Sequence, residues 1–276
     1  MKALITLLFL ILSFNGLSQT DTVVVSPWSK SGNIGLNVNQ IALSNWSQGG
    51  DNSIAWTLFT NMALNYKAET WELKNSLKVA FGRTKLGSDD YRTNDNELYL
   101  ESVLSYKVGW AVDPYFSNTV RTAIGKGYDY KTVPYIEIAS LFDPGYITQS
   151  LGFTYNKLSN FTTRLGVALQ ETFSDKYRAK YLKDTSKAMQ LDTGIESVTE
   201  GNYAFEENLL LTSKLRLFSR FDSMDVWDVR WDNTITAKIS KYVNVNLNVL
   251  LIYEKNQSLK TQLKEALQLG FTYNLF

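Results

Sequence analysis

The chain has no cysteine and no histidine among its 276 residues, only 4 prolines, and a formal charge of +1. Without cysteine there are no disulfides and no thiolate metal sites, although that absence leaves the compartment open. Without histidine, no side chain titrates near neutral pH unperturbed, so mechanisms with His as general base are excluded. A near-neutral balance gives no reason to expect a nucleic-acid partner. No Pro-, Ser- or Gly-rich tract marks a linker, and the length suits one large β domain or two ordinary ones.

Long hydrophobic runs are also missing, apart from one at the start. MKALITLLFLILSFNGLSQT has a basic Lys2, an apolar stretch from Ala3 to Phe14, and small residues at Gly16 and Ser18. That is the pattern of a signal peptide over residues 1–18, cleaved before Gln19. Its loss removes Lys2 and leaves a formal charge of zero. The stretch is short against the roughly 20 residues of a spanning helix, and no later window approaches that length. Residues 19–31 read as an N-terminal extension and residues 32–276 as the folded unit.

What the chain does have is alternation. In SIAWTLFTNMALNYK, Ile54, Trp56, Leu58, Thr60, Met62, Leu64 and Tyr66 fall on one face, which is apolar and large, and Ala55, Thr57, Phe59, Asn61, Ala63 and Asn65 on the other, which is mostly small or polar. The pattern returns at Leu73–Phe81, Leu98–Val108, Phe116–Ile124, Ile147–Tyr155, Leu165–Leu169, Leu209–Leu217, Trp227–Ile239, Val243–Leu251 and Leu267–Leu275. Period 2 with no sustained helical period is the signature of strands. Short turns, such as YKAETW and YNKLSNF, alternate with longer polar segments such as SNWSQGGDN and RTKLGSDDYRTNDNE. Aromatics bracket several of the short turns. Amphipathic rings beside every second turn suit a bilayer interface, with short turns on the periplasmic side and long loops outside.

The chain therefore reads as all-β, an antiparallel up-and-down transmembrane β-barrel in the outer membrane, its apolar faces against lipid. Eleven strands are visible. Two successive strands near Phe173 and Tyr203–Phe221 both rise to the outer rim, so a descending strand is needed between them, around Ala188 to Val198. That makes about twelve, the even number expected of bacterial barrels. The alternative is a soluble lipocalin-like barrel with the apolar faces inward, which would have to house two dozen large side chains.

LSNWSQGGDNSIA (Leu43 to Ala55), FDPGYITQSLGFTY (Phe142 to Tyr155), KLRLFSRF (Lys214 to Phe221) and the tail LKEALQLGFTYNLF carry a likeness. On these segments the chain resembles a family of outer-membrane barrels common in Bacteroidota, catalogued as domain of unknown function 3078. The resemblance implies the fold and the location and brings no activity. The chain departs from the pattern between Asp175 and Tyr203. Its tail also places Phe276 out of phase with Tyr273, and those two aromatics are the expected signal to the barrel-assembly machinery.

Familiar outer-membrane enzymes depend on histidine, which this chain lacks, so no enzyme, cofactor or metal is expected. Asp89 with Asp90, and Glu97 with Glu101, are the paired carboxylates; the first pair reads as a solvated outer loop. By alternation, Lys74, Lys78, Lys107, Arg121, Arg164, Lys214, Arg216, Arg230 and Lys238 face the lumen, against Glu72, Glu97, Glu101, Asp228 and Asp232. The excess of about four positives is what a narrow channel for small anionic solutes would present. The competing reading is a packed, non-conducting lumen in which these charges pair across strands, the protein binding other envelope proteins through its outer loops. In the first long loop, Asn45, Trp46, Gly49 and Gly50 form a candidate motif. Trp46 is either a plug or docking residue or the cover of a hairpin in which the glycines supply positive φ. Lipid is the expected surroundings and a monomer the default state.

Overall fold

The computed structural model describes residues 26–255 and 257–276. The leader lies outside the described residues. Twelve long strands close into one barrel: β1 (Trp28–Ile41), β2 (Ser53–Lys67), β3 (Trp71–Leu86), β4 (Arg92–Tyr106), β5 (Asp113–Thr122), β8 (Gly145–Leu158), β9 (Phe161–Phe173), β10 (Met189–Glu206), β11 (Leu209–Arg220), β12 (Trp227–Lys238), β13 (Val243–Tyr253) and β14 (Gln262–Asn274). Each pairs antiparallel with its neighbour in the chain, and β1 pairs with β14 to close the ring. Two short strands, β6 (Gly127–Asp129) and β7 (Ile136–Ala139), form a separate hairpin between β5 and β8. One helical turn, α1 (Arg178–Tyr181), sits between β9 and β10. Among the described residues, no helix is long and apolar enough to cross a membrane.

The molecule is polar inside and apolar outside. Among the described residues, 23 polar or charged residues are buried against 8 hydrophobic ones. Leu58, Leu151, Leu165 and Leu267 are each more than half exposed on the outer wall. In water that distribution is unfavourable throughout; in hydrocarbon it is the only stable one, because no strand edge and no polar interior is presented to lipid. The barrel is therefore an outer-membrane protein, and the soluble arrangement is set aside. Trp28, Tyr66 and Trp71 cluster at one rim, with ring centroids 4.9 Å and 4.6 Å apart in succession. All the short turns, together with the start of β1 and the end of β14, share that rim, which is the periplasmic one.

Three boundaries differ from the pattern. β1 starts at Trp28, inside the stretch read as an extension, because Trp28 to Ser31 pair with Tyr66 to Ala63 of β2. The weakly patterned descending strand is β10; it runs on to Glu206, so Tyr203 to Glu206 belong to it and not to the next strand. Its lipid face carries Thr193, Ser197, Thr199 and Gly201, which hides the alternation, and its register is set by β9 and β11 instead. β5 stops at Thr122, short of Ile124. On the inner wall, Gly152 and Gly166 face each other between β8 and β9. A Cβ on Gly166 would meet the Tyr115 hydroxyl at 2.8 Å, so glycine is what lets that buried ring lie against the wall.

Leu151 sits mid-strand on the lipid face. Leu151→Arg should cost about 2–4 kcal/mol of folding stability in vesicles, the penalty of a cation at the bilayer midplane. Urea titration of the refolded protein checks it; a neutral outcome would mean that this wall meets water.

Candidate lumen and its closures

Strand register fixes which side chains point inward. Lys74, Lys78, Glu97, Glu101, Arg121, Arg164, Lys214, Arg216, Asp228, Arg230, Asp232 and Lys238 all lie on the lumen side, with Glu72 at the periplasmic rim beside Lys74 at 3.6 Å. Lys107 does not. β4 ends at Tyr106, and beyond it the chain turns, so alternation no longer applies; the Lys107 ammonium donates to the Ala68 and Glu69 carbonyls at 2.9 and 3.0 Å.

Five acids that the pattern passed over also face inward: Asp95, Asp113, Asp192, Glu196 and Glu200. So do Arg220 and Lys264. Asp192, Glu196 and Glu200 sit on the strand whose alternation is hidden, while Asp95 lies in a stretch read as loop and Lys264 just ahead of the last alternating face. With Lys107 removed, two bases added and five acids added, the excess of positive charge across the whole lumen falls away.

The charges pair across the barrel rather than only along neighbouring strands. Arg230 of β12 donates to Glu97 of β4 at 2.5 Å, although the two strands are six positions apart in a ring of twelve. Lys78 of β3 reaches Asp232 of β12 at 2.8 Å, Lys214 of β11 reaches Glu101 of β4 at 2.7 Å, and Lys264 of β14 reaches Asp95 of β4 at 2.8 Å. Glu101 also accepts from Arg164, and Lys214 from its other side meets Glu200 at 2.7 Å. Arg220 holds Asp192 at 3.1 Å and Asp228 at 2.7 Å. Buried pairs of this kind are costly to break singly, because the survivor is left as an uncompensated charge.

This belt divides the interior. On the β5, β8, β9 and β10 side the middle of the lumen is packed, with Tyr115 donating to or accepting from Ser150 at 2.8 Å and with Ala168, Val198 and Phe218 of β11 covered, while a smaller cavity of about 170 Å³ lies between Glu101, Arg164 and the periplasmic rim. On the other side a cavity of about 650 Å³ opens between β1–β4 and β11–β14. An amide ladder lines it: Asn61 to Asn33 at 3.1 Å, Asn246 to Asn37 at 3.1 Å, and Asn244 to Thr272 at 2.9 Å. Seven bases line this cavity (Lys78, Lys214, Arg216, Arg230, Lys238, Lys241 and Lys264), against three acids (Asp95, Glu97 and Asp232). The lumen is thus balanced as a whole and segregated in space.

The outer mouth is spanned as well. Glu254 and Gln257, in the loop between β13 and β14, contact the opposite wall. Glu254 lies 4.0 Å from Arg121 of β5, and Gln257 donates to the Tyr146 hydroxyl of β8 at 2.7 Å. Arg121 stacks over the Tyr146 ring at 4.5 Å. Beside this lid, the β6–β7 hairpin is tied to the α1 loop: Glu137 accepts from Tyr177, from Lys176 at 2.9 Å and from Lys126 at 3.0 Å. These donors, the Tyr177 hydroxyl first, hold the Glu137 carboxyl down at about 2.

The remaining sequence candidates sit on the rims. Gly49 and Gly50 have φ of +80° and +115°, and Asn45 has +54°. Trp46 donates to the Gly49 carbonyl at 2.9 Å, closing its own loop with its ring half exposed. Asp89 pairs with Arg92 at 2.7 Å. Tyr273 stacks with Tyr242 on the outer wall, and Phe276 lies under the Lys30 ammonium.

Residues 38–128 match the family described as Protein of unknown function (DUF3078). That span runs from β1 into β6 and contains Lys78, Glu97, Glu101 and Arg121, while their partners Arg164, Lys214, Arg230, Asp232 and Glu254 lie beyond it. Among solved structures, the chain is similar to the COG4313 outer membrane channel from Pseudomonas putida F1, at 11% identity and a TM-score of 0.42, covering 94% of this chain and 99% of that one. It is also similar to the translocator domain of autotransporter NalP from Neisseria meningitidis, at 9% identity and 0.38, covering 99% and 94%. One curated relative, the glutamate–cysteine ligase of Yersinia pseudotuberculosis serotype I (strain IP32953), is 30% identical over 152 residues, 47% of this chain. The chain spans only 28% of that relative's length.

Two outcomes follow from the closures. Arg121→Gln should speed amide exchange in the loop around Glu254 and Gln257 while leaving the barrel strands protected; unchanged exchange would show that the lid does not depend on that contact. For Glu137, a carboxyl held below its ordinary 4.5 contributes stability above that value and loses it as pH falls toward about 2. The tie between the β6–β7 hairpin and α1 should therefore persist at pH 4.5 and release only near 2, as followed by exchange or by proteolysis at Lys176.

Proposed function

We propose that this protein is a narrow outer-membrane channel for small anionic solutes, with its lumen bridged and its mouth covered in the conformation described. The observation that carries the reading is the cavity with seven bases against three acids among its lining, set in a wall of carboxamides and hydroxyls. Amides and hydroxyls replace a solute's water shell, and ammonium and guanidinium groups favour negative charge. Lys238 and Lys241 stand near the periplasmic rim with no carboxylate within 4.0 Å among the described residues, so their charge is not cancelled locally. Further in, Arg230–Glu97 and Lys78–Asp232 form the constriction. In a chain without histidine, carboxylates would have to act as acid or base; Glu97, Glu101 and Asp232 are instead engaged by Arg or Lys, which favours a non-catalytic reading.

The cross-lumen belt also favours a second reading, a non-conducting barrel whose packed lumen serves only rigidity. Planar-bilayer recording on refolded protein separates the two. The channel reading expects small, anion-preferring conductance that rises when Glu97→Gln removes the carboxylate opposite Arg230. Lys238→Glu with Lys241→Glu should reverse the preference. Absence of conductance in the native chain, in Glu97→Gln and in Arg121→Gln alike would leave the structural reading standing.

A further inference from the structure

The outer wall should be apolar throughout the hydrocarbon, and over most of the barrel it is. Single hydroxyls and amides interrupt it elsewhere, as on β10 and at Asn233, but one polar row runs in register across four adjacent strands. Asn75 of β3 pairs in register with Ser102 of β4, Ser102 with Asn118 of β5, and Asn118 with Gln149 of β8. Alternation places all four on the lipid side, since their immediate chain neighbours Lys74, Glu101, Ser117 and Ser150 face the lumen. The row lies well inside the membrane. Asn75 is four residues above Trp71, Ser102 four above Tyr106, and Asn118 lies between Phe116 and Val120. At about 3.3 Å per residue along strands tilted by about 40°, four residues lift a side chain roughly 10 Å above the aromatic rim.

The lower end of the row is satisfied within the chain. Asn75 donates to the Leu64 carbonyl at 2.9 Å, and the Ser102 hydroxyl donates to Asn75 at 2.8 Å. The upper end is not: among the described residues, neither the Asn118 nor the Gln149 carboxamide has a hydrogen-bond partner. Another lipid-facing carboxamide, Asn233, shows the contrast, since it accepts from Ser213 at 2.7 Å, beside the Trp231 indole. Two unpaired carboxamides in hydrocarbon are unfavourable unless something meets them.

We propose that this row is the interface of a homodimer, in place of the default monomer. A carboxamide carries donors and an acceptor together, and the row is uncharged, so the patch is complementary to a second copy of itself. Both copies insert in the same direction, which puts the two-fold axis along the membrane normal. Each row runs obliquely because the strands tilt, so two facing rows cross near Ser102 and Asn118. Leu100, Leu104, Phe116, Leu151 and Phe153 flank the crossing with exposed apolar surface to pack against. Polar side chains joining apolar walls are how spanning segments associate where lipid removes the usual hydrophobic drive.

The absence of cysteine makes the test direct. Leu100→Cys reports on the row, and Leu267→Cys on β14 reports on the far wall. In phosphatidylcholine vesicles at low protein density, oxidation should give a disulfide-linked dimer of the full chain for Leu100→Cys and little for Leu267→Cys. Adding Asn118→Leu and Gln149→Leu to Leu100→Cys should abolish the dimer, while the band still shifts on boiling as a folded barrel does. Equal linkage at both positions, or linkage unaffected by the double leucine change, overturns the proposal. So does a monomer that retains bound lipid only when Asn118 and Gln149 are present, since lipid would then be the partner.

Discussion

Closure of β1 on β14 is the constraint from which the rest of this structure follows. In hydrocarbon, every backbone N–H and C=O must find its partner within the protein, and a sheet does so only when it has no edge. Once the ring is closed, period-2 alternation sorts side chains into two solvents. The apolar set meets lipid, and the polar set is forced together in an enclosed volume. The buried interior of this protein accordingly holds charges of both signs.

An enclosed set of charges must then be neutralised locally. The barrel does this across its diameter, with β4 acting as the common acceptor: Asp95, Glu97 and Glu101 receive cations from β14, β12, β9 and β11. The pairing draws the β3–β4 wall toward the β11–β12 wall and separates a packed half from an amide-lined half. The surplus of bases in the open half has its counterpart in Asp192, Glu196 and Glu200 of β10, on the packed side. Permeation, in the function proposed here, would run along one side of this belt and not through the centre of a round pore.

The fold class, eleven of the twelve strands and the lumen side of twelve of the fourteen charges singled out, with Glu72 at the lumen's rim, were legible because alternation is a strictly local property. Lys107 failed because the rule ends where the strand ends: the alternating face read through to Val108 overran the turn that begins after Tyr106. β10 was placed only by counting, since Thr193, Ser197 and Thr199 on its lipid face erase the contrast between faces. Its length and its three acids were lost with it. The polar row at Asn75, Ser102, Asn118 and Gln149 was equally invisible. Each is one polar residue within its own strand, and only register aligns them.

By itself, then, the sequence determined which side chains share a face, and hence that one face seeks hydrocarbon and the other avoids it; two-residue periodicity needs no knowledge of partners. Only the tertiary structure decided which inward charge meets which. Arg230 and Glu97 are 133 residues apart in the chain, and what brings them to 2.5 Å is the curvature of a closed twelve-strand sheet, a property of the ring that no single strand contains.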